Sequence, residues 1–191
     1  MLRDLLRQKL PKLTLRRPRA RSVVRLVLVL ALLPVGLEAA RVLVGNNRHE
    51  VLPGRVYRSN QPSPAALREF LASHEIKTVI NLRGYCPGDH TPWYKEEIRA
   101  TSEFGVSHED ITFSANRLPA PSELKRLVEV LDRSEYPILF HCKQGADRTG
   151  LTAALVQLLY TDATLDRARR QLWPRYGHFR FGRTAAMDEF Y

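Results

Sequence analysis

Short apolar runs alternate with helical patterns along most of the chain, and this alternation limits the fold more than any other feature. Such runs between turn signals are typical of strands that are covered on both faces. The sequence predicts strands at Val56-Tyr57, Thr78–Leu82, Val106–Phe113 and Pro137–Phe140, and helices at about 63–73, 93–104, 121–134, 149–160 and 164–172. This order predicts an α/β fold: a single domain with a mostly parallel central sheet flanked by helices.

The basic residues concentrate at the N-terminus. Residues 1–25 hold nine Lys and Arg against one acid, whereas the rest of the chain is nearly neutral. The net charge of +10 therefore belongs mainly to a tail. A basic tail on a neutral body argues against nucleic-acid binding by the body.

An apolar segment follows the basic tail. Its uncharged core, Leu26–Leu37, has 12 residues, fewer than the roughly 20 that usually cross a bilayer. Charged side chains at the two interfaces can extend the span. We therefore predict a tail at 1–22, a transmembrane anchor at 23–44 and a linker at 45–55.

Two alternatives to the anchor stay open. One is a cleaved signal peptide, although no good small-residue cleavage site follows the apolar core. The other is an amphipathic surface or core helix. If the segment is an anchor, the positive-inside rule predicts a single-pass protein with a cytoplasmic N-terminus and an extracytoplasmic body.

The stretch HCKQGADRTG, residues 141–150, links the last predicted strand to the long apolar helix predicted at 149–160. Backbone amides of such a loop, together with the helix N-terminus, favour an anion. The same positive field favours Cys142 as a thiolate nucleophile. Arg148 can grip two phosphate oxygens, and Thr149 can donate its hydroxyl to the sulfur. The predicted phosphate-binding residues are Lys143, Gln144, Gly145, Ala146, Asp147 and Arg148, and Gly145 supplies backbone freedom.

Cys-x5-Arg, with His141 before it and Thr149-Gly150 after it, resembles the signature of cysteine-dependent tyrosine and dual-specificity phosphatases. VYRSNQPS and TVINLRG extend the resemblance to compact, atypical bacterial, fungal and plant members, over about residues 51–175. The resemblance implies a dual-specificity phosphatase-like fold for residues 56–191. It also implies that Cys142 forms a phosphocysteine intermediate while Arg148 binds phosphate.

The sequence contains two candidates for the general acid. The family usually places an Asp in a loop before the Cys, but the matching loop, Ser114–Pro121, contains no acid. Asp147 is the first candidate because an in-loop Asp resembles the myotubularin loop. Asp110 is the alternative, although it is predicted early on its strand. The third alternative is that no protein acid takes part. The alternative role of Asp147 is to hold the loop or to orient Arg148.

Four side chains near the motif each have two interpretations. Lys143 either selects charged head groups, as its resemblance to lipid- and inositol-phosphate phosphatases implies, or is a solvated lysine. Cys86 is either a redox partner of the nucleophile or an unpaired thiol. Arg58 and Arg83 either form structural salt bridges or line the mouth of the site.

The resemblance implies a phosphorylated protein substrate, with phosphate on tyrosine or on serine and threonine. The alternatives are a lipid or inositol phosphate substrate and a pseudophosphatase that binds phosphorylated ligands. No metal-ligand spacing links His90, His108 and His178, so the sequence predicts neither a metal nor an organic cofactor.

Overall fold

The structure is a computed structural model that describes residues 20–85, 91–179 and 187. Its five-stranded sheet has the order β1-β2-β5-β3-β4. The first two strands pair antiparallel and all other pairs are parallel. The strands are β1 (His49–Leu52), β2 (Val56–Ser59), β3 (Thr78–Asn81), β4 (Ser107–Asp110) and β5 (Ile138–His141). The predicted α/β fold with a mostly parallel sheet is confirmed.

The helices are α1 (Ala20–Leu43), α2 (Pro64–Ser73), α3 (Pro92–Glu103), α4 (Pro121–Arg133), α5 (Asp147–Tyr160) and α6 (Leu165–Arg169), followed by 3-10 turns at Arg170–Leu172 and Pro174–Tyr176. Of these, α2 and α3 pack on one face of the sheet, and α4 and α5 pack on the other. Because successive strand residues point to opposite faces, Val79 packs with α2 and α3, and Ile80 packs with α4 and α5. The two resulting cores fix β5, the central strand.

The cap of α2 illustrates how the sequence sets the local structure. The Ser63 hydroxyl accepts a hydrogen bond from the amide of Ala66 at 3.3 Å, and Pro64 occupies the first turn. A serine cap followed by proline begins a helix because it satisfies a free amide and presets the backbone. Leu67, Phe70 and Leu71 are then buried against the sheet.

Three elements differ from the sequence prediction. The predicted linker 45–55 contains β1, a short edge strand that has only one buried residue, Val51, and so gives a weak pattern. The predicted strand Val106–Phe113 ends at Asp110, because the chain then leaves the parallel ladder and Thr112 forms an antiparallel bridge with Arg83. The predicted helix 164–172 is α6 plus a 3-10 turn.

The N-terminal part of the chain separates from the sheet-bearing part. The contacts divide the chain into Met1–Leu37 and Glu38–Tyr191. Residues Ser22–Leu43 of α1 are long enough and apolar enough to cross a membrane, with a mean hydropathy of 2.2. A signal sequence near the N-terminus would have the same length and composition.

Candidate active site

The loop after β5 lies at the carboxyl edge of the sheet, where ligands bind in α/β folds. β5 ends at His141, and α5 begins at Asp147. Cys142 follows the strand directly and is a buried, free thiol. The structure therefore places the predicted nucleophile at the base of the strand-to-helix loop.

The carbonyl oxygens of this loop accept hydrogen bonds from residues outside the loop. The Lys143 oxygen accepts from the Gln61 amide at 3.4 Å, and the Gln144 oxygen accepts from Asn47 Nδ2 at 3.1 Å. Arg58 Nη2 donates to the oxygens of Gly145 at 2.8 Å and Ala146 at 3.4 Å. Four successive carbonyl groups are thus turned toward the surrounding protein.

This arrangement determines where the loop amides point. In a trans peptide the carbonyl and the following N–H point in opposite directions. The amides of residues 144–147 therefore face away from these partners, and none of them has an acceptor among the described residues. Four successive amides without acceptors are available to donate hydrogen bonds to an anion.

Gly145 has the backbone conformation that this loop needs. Its φ is +71°, and a Cβ there would lie 2.7 Å from the Ser59 carbonyl oxygen and the Asn60 amide nitrogen. Both atoms belong to the backbone, so neither can rotate away. This confirms the expectation that a side chain at Gly145 would be resisted.

Arg58 is fully buried beneath the loop, which corrects the expected salt bridge. Besides the two loop carbonyls, it donates to the Gln171 carbonyl at 2.9 Å and side-chain oxygen at 2.8 Å. Its guanidinium also lies 4.1 Å from the centroid of the Tyr176 ring. No carboxylate is among its contacts in the described residues; burial lowers its pKa to about 10. The buried position on β2 reflects these neutral acceptors rather than an ion pair.

Arg83 has a different environment. Its Nη1 donates to Gln61 Oε1 at 3.1 Å, and its guanidinium lies 3.6 Å from the centroid of the Trp93 ring. Its role, structural or at the mouth of the site, stays a prediction.

Arg148 and Thr149 follow the loop at the start of α5. Arg148 Nη1 lies 3.5 Å from the Leu82 oxygen and 3.4 Å from the Phe113 oxygen, which are long contacts. The Thr149 hydroxyl is buried and has no hydrogen-bond partner within the part of the chain that the structure describes. A buried hydroxyl without a partner is costly, so it is available to the sulfur or to a bound anion.

The two candidate acids have different surroundings. Asp110 lies at the carboxyl end of β4, not early on it as predicted. Both of its oxygens are occupied: Oδ1 accepts from Asn81 Nδ2 at 2.8 Å, and Oδ2 accepts from the Tyr94 hydroxyl at 2.6 Å. Asp147 Oδ1 lies 2.7 Å from Nδ1 of the buried His178. Its Oδ2 has no hydrogen-bond partner among the described residues.

A buried network beneath the nucleophile was missed by the sequence analysis. Glu97 Oε1 lies 3.0 Å from His141 Nε2 and 2.8 Å from His108 Nε2, and Oε2 accepts from Gln61. Burial raises the pKa of Glu97, but the charges of and hydrogen bonds from His141 and His108 outweigh it and hold that pKa well below the usual value. The sequence feature that could have indicated this network is a glutamate, Glu97, on the same face of the helical pattern as Tyr94, which is the buried face of α3.

The remaining predicted residues are Lys143, Gln144, Cys86 and His90. Lys143 and Gln144 are exposed on the outer side of the loop. Cys86 and His90 lie outside the described residues. Among the described residues no group of three or more side chains could hold a metal ion.

Comparisons with known proteins agree with this geometry. A family model described as "Tyrosine phosphatase family" matches residues 41–161. Rice (Oryza sativa subsp. japonica) inositol diphosphatase DSP1 is 31% identical over 108 residues, or 54% of this chain and 46% of that protein. The match covers about half the length of two curated relatives, 46% of rice DSP1 and 50% of Arabidopsis thaliana inositol diphosphatase DSP4.

Two solved structures share the fold. The catalytic core of the S. cerevisiae PP-IP phosphatase SIW14, in complex with citrate, is 22% identical with a TM-score of 0.55, covering 74% of this chain and 82% of that one. A Cys-to-Ser variant of P. aeruginosa TpbA in complex with phosphotyrosine is 23% identical with a TM-score of 0.54, covering 70% and 76%. With the family match covering more than half of its residues, this chain belongs to the tyrosine phosphatase family.

Proposed function

We propose that this protein hydrolyses phosphate monoesters through a phosphocysteine intermediate. The observation that carries the proposal is the set of four outward-held carbonyls, which leaves the amides of residues 144–147 for phosphate oxygens above Cys142. Family membership supports the same chemistry. Arg148 binds two phosphate oxygens, and Thr149 donates its hydroxyl to the sulfur.

The reaction has two displacements at phosphorus. The Cys142 thiolate attacks the phosphorus in line, the bond to the leaving oxygen breaks, and that oxygen takes a proton from a general acid. Water then attacks the phosphocysteine and gives a proton back to the same group. The P–S bond breaks, releasing inorganic phosphate and the thiolate.

Asp147 is the acid that we propose. It is the only carboxylic acid between Cys142 and Arg148, and its Oδ2 has no hydrogen-bond partner among the described residues, whereas both oxygens of Asp110 are occupied. A free oxygen can carry the proton to the leaving group. Asp110 is the alternative, and orientation of Arg148 is the alternative role of Asp147.

Two substrate classes fit a phosphate site of this kind. Phosphotyrosine or phosphoserine and phosphothreonine in proteins follow from the family, and a TpbA structure contains phosphotyrosine. Lipid or inositol phosphates are the second candidate, favoured by the exposed Lys143 beside the loop and by the name of the rice relative.

The N-terminal segment supports a proposal about location. Residues 23–44 anchor the protein, the basic tail stays in the cytoplasm, and the catalytic domain lies on the extracytoplasmic side. The apolar helix and the basic residues before it support this topology.

Two measurements test it. Retention of the full chain in membranes after alkaline extraction would support an anchor. A purified protein whose N-terminus begins near residue 41 would indicate a cleaved signal peptide instead.

Hydrolysis of a small aryl phosphate by the full chain, in detergent and under reducing conditions, tests the activity. Wild type should turn over, and Cys142→Ser should be inactive. If folded wild type releases no phosphate but binds a phosphorylated ligand, the protein is a pseudophosphatase.

A further inference from the structure

His178 is a buried titratable residue that has no part in the two displacements. Its side chain is fully buried, and its Nδ1 lies 2.7 Å from Oδ1 of Asp147. Asp147 is the first residue of α5, whereas His178 comes 31 positions later in the chain. The fold therefore brings a distant imidazole against the proposed general acid.

The segment that carries His178 is held by two residues from the other end of the domain. The Tyr176 carbonyl oxygen accepts from Asn47 Nδ2 at 2.9 Å. The ring of Tyr176 packs against the guanidinium of Arg58. Gly177, with a φ of +77°, ends the 3-10 turn and leads directly into the histidine. These contacts determine where the imidazole lies.

The same two residues also hold the phosphate loop. Asn47 Nδ2 donates to the Gln144 oxygen. Arg58 Nη2 donates to the Gly145 oxygen at 2.8 Å. Both Asn47 and Arg58 are fully buried. The loop and the segment with the histidine thus share two buried partners, which fix the distance between the imidazole and the loop aspartate.

The hydrogen bond determines which oxygen of Asp147 carries a proton. An ionised carboxylate can only accept, so the contact places a proton on Nδ1 of His178 when Asp147 is ionised. When Asp147 is protonated, the same N–H still binds Oδ1, and the acidic proton belongs on Oδ2. Oδ2 has no hydrogen-bond partner among the described residues. The proton is therefore on the oxygen that is available to a leaving group.

We infer that His178 is a positioning residue for general acid catalysis by Asp147. In the first displacement the Oδ2–H bond of Asp147 breaks, and its proton passes to the leaving oxygen as the P–O bond breaks. His178 keeps its own proton on Nδ1 throughout. Its hydrogen bond to Oδ1 strengthens as the carboxylate forms, because a charged acceptor binds more strongly than a neutral one. In the second displacement Oδ2 takes a proton from the attacking water.

This inference rests on the proposed function, and the test compares two substrates that differ in their need for an acid. An alkyl phosphate has a poor leaving group and depends on proton donation, whereas a nitrophenyl phosphate depends on it little. The full chain is assayed with both in detergent under reducing conditions. The quantity measured is the ratio of kcat/KM for the alkyl phosphate to kcat/KM for the aryl phosphate, which cancels any loss of folded protein.

Three variants isolate the hydrogen bond. His178→Met removes the donor and should lower the ratio about tenfold or more, the value of one hydrogen bond to a charged group. His178→Asn should stay within about threefold of wild type, since its amide nitrogen is bonded to Cγ as Nδ1 is. His49→Met is the control and should leave the ratio unchanged. His49 packs against the Tyr176 ring at 4.8 Å between centroids, but its Nε2 bonds to Asn47.

A double-variant cycle tests whether His178 acts through Asp147. Asp147→Asn should lower the ratio by itself, and His178→Met added to it should lower the ratio no further. A histidine that only supports the fold would lower alkyl and aryl turnover together, so the ratio would not change in either background.

The outcomes separate this inference from the proposed function. A wild-type ratio in His178→Met, beside a lowered ratio in Asp147→Asn, overturns the positioning role and leaves the acid in place. Equal losses for His178→Met in both backgrounds overturn it too, as does a loss in His178→Asn as large as that in His178→Met. An unchanged ratio in Asp147→Asn overturns the acid and its positioning residue together, and no turnover by folded wild type overturns the proposed function.

A second variant serves if His178→Met yields no folded protein. His178→Gln keeps a polar side chain, but its amide nitrogen is one bond farther from the backbone than Nδ1. It should lower the ratio about tenfold or more for the same reason, and a wild-type ratio would overturn the inference.

Discussion

At the scale of single residues, Arg58 shows how a charge can be buried with no carboxylate among its contacts in the described part of the chain. Its two terminal nitrogens donate to backbone and amide oxygens, two of which belong to the phosphate loop, whereas its buried Nε has no partner among the described residues. A buried charge is tolerated more easily where most of its hydrogen-bonding groups have acceptors. Arg58 thereby couples the stability of the core to the direction of the loop amides.

Arg58→Lys should damage the loop because an ammonium group cannot span the same set of oxygens. We expect a loss of about 2–4 kcal/mol in the free energy of unfolding, the size of one or two lost hydrogen bonds from a charged group. Affinity for inorganic phosphate should fall as well. Urea unfolding and calorimetric titration measure the two effects.

Arg55→Lys is the matched control, since Arg55 is exposed on the same β-hairpin. Equal losses in the two variants would contradict the role of Arg58 in holding the loop.

The choice of acid is also a residue-scale question. With an alkyl phosphate, whose leaving group is poor, Asp147→Asn should lower kcat about 100-fold or more, the usual size of acid catalysis. Asp110→Asn should have a much smaller effect, because both oxygens of Asp110 already accept hydrogen bonds. Steady-state rates on alkyl and aryl phosphates check this, since an activated aryl leaving group needs less help. A larger loss of kcat for Asp110→Asn than for Asp147→Asn would identify Asp110 as the general acid.

At the scale of elements, most of the helices and strands were predictable because their patterns are local. The cap at Ser63, the apolar run of β5 and the glycine of the loop all lie close in sequence to what they form. β1 was missed because its pattern is weak, and Asp110 was misplaced because the end of β4 depends on a bridge to Arg83.

The candidate site was predictable only in part, for the same reason. The motif itself marks Cys142 and the residues of the loop. The partners that turn the loop carbonyls outward are far away in sequence, as Asn47 is from Gln144 and Arg58 is from Gly145. Only the tertiary structure brings these groups together.

Gly145→Ala tests the fit of the loop against β2. A Cβ would meet backbone atoms of Ser59 and Asn60 at 2.7 Å. We expect a loss of about 3 kcal/mol or more in the free energy of unfolding, since the strain of a left-handed alanine adds to the clash. Thermal unfolding measures it, and aryl phosphate turnover should also be lost.

Gly54→Ala is the control for that strain. Gly54 has a φ of +66°, but nothing lies within 4 Å of its Cβ position. Gly54→Ala should lower the free energy of unfolding by only about 1 kcal/mol, because only the strain of a left-handed alanine applies there. Equal costs for the two variants would show that the contact with β2 is unimportant.

Glu97 connects α3, β4 and β5 beneath the nucleophile. Glu97→Gln should lower the free energy of unfolding at neutral pH by about 3–5 kcal/mol, the cost of breaking a buried ion pair. Glu96→Gln, on the neighbouring and more exposed residue, is the control.

The pH dependence has a definite sign. The folded state lowers the pKa of Glu97, so its contribution is fully present above the ordinary glutamate pKa and is lost as the pH falls below about 4.5 toward the folded value. The difference in the free energy of unfolding between wild type and Glu97→Gln should therefore become smaller as the pH falls from about 4.5 to about 2. Urea unfolding across this range checks it, and a gap that widens on acidification would contradict it.

At the scale of the whole molecule, the phosphate loop, the buried Arg58 and the Glu97 network belong to the unit Glu38–Tyr191. The same unit begins within the last turns of the apolar helix. The site residues therefore lie in the same unit as Glu38–Leu43, the last residues of the candidate membrane span.

The most direct test of the central claim is the trapping of the phosphocysteine. Full-length protein is mixed with an aryl phosphate, quenched in acid within the first turnovers, and digested for mass spectrometry, with Cys142→Ser beside it. The account predicts one phosphoryl group on the wild-type peptide that contains Cys142. Steady turnover with no phosphoryl group on that peptide, or undiminished turnover by Cys142→Ser, would contradict it.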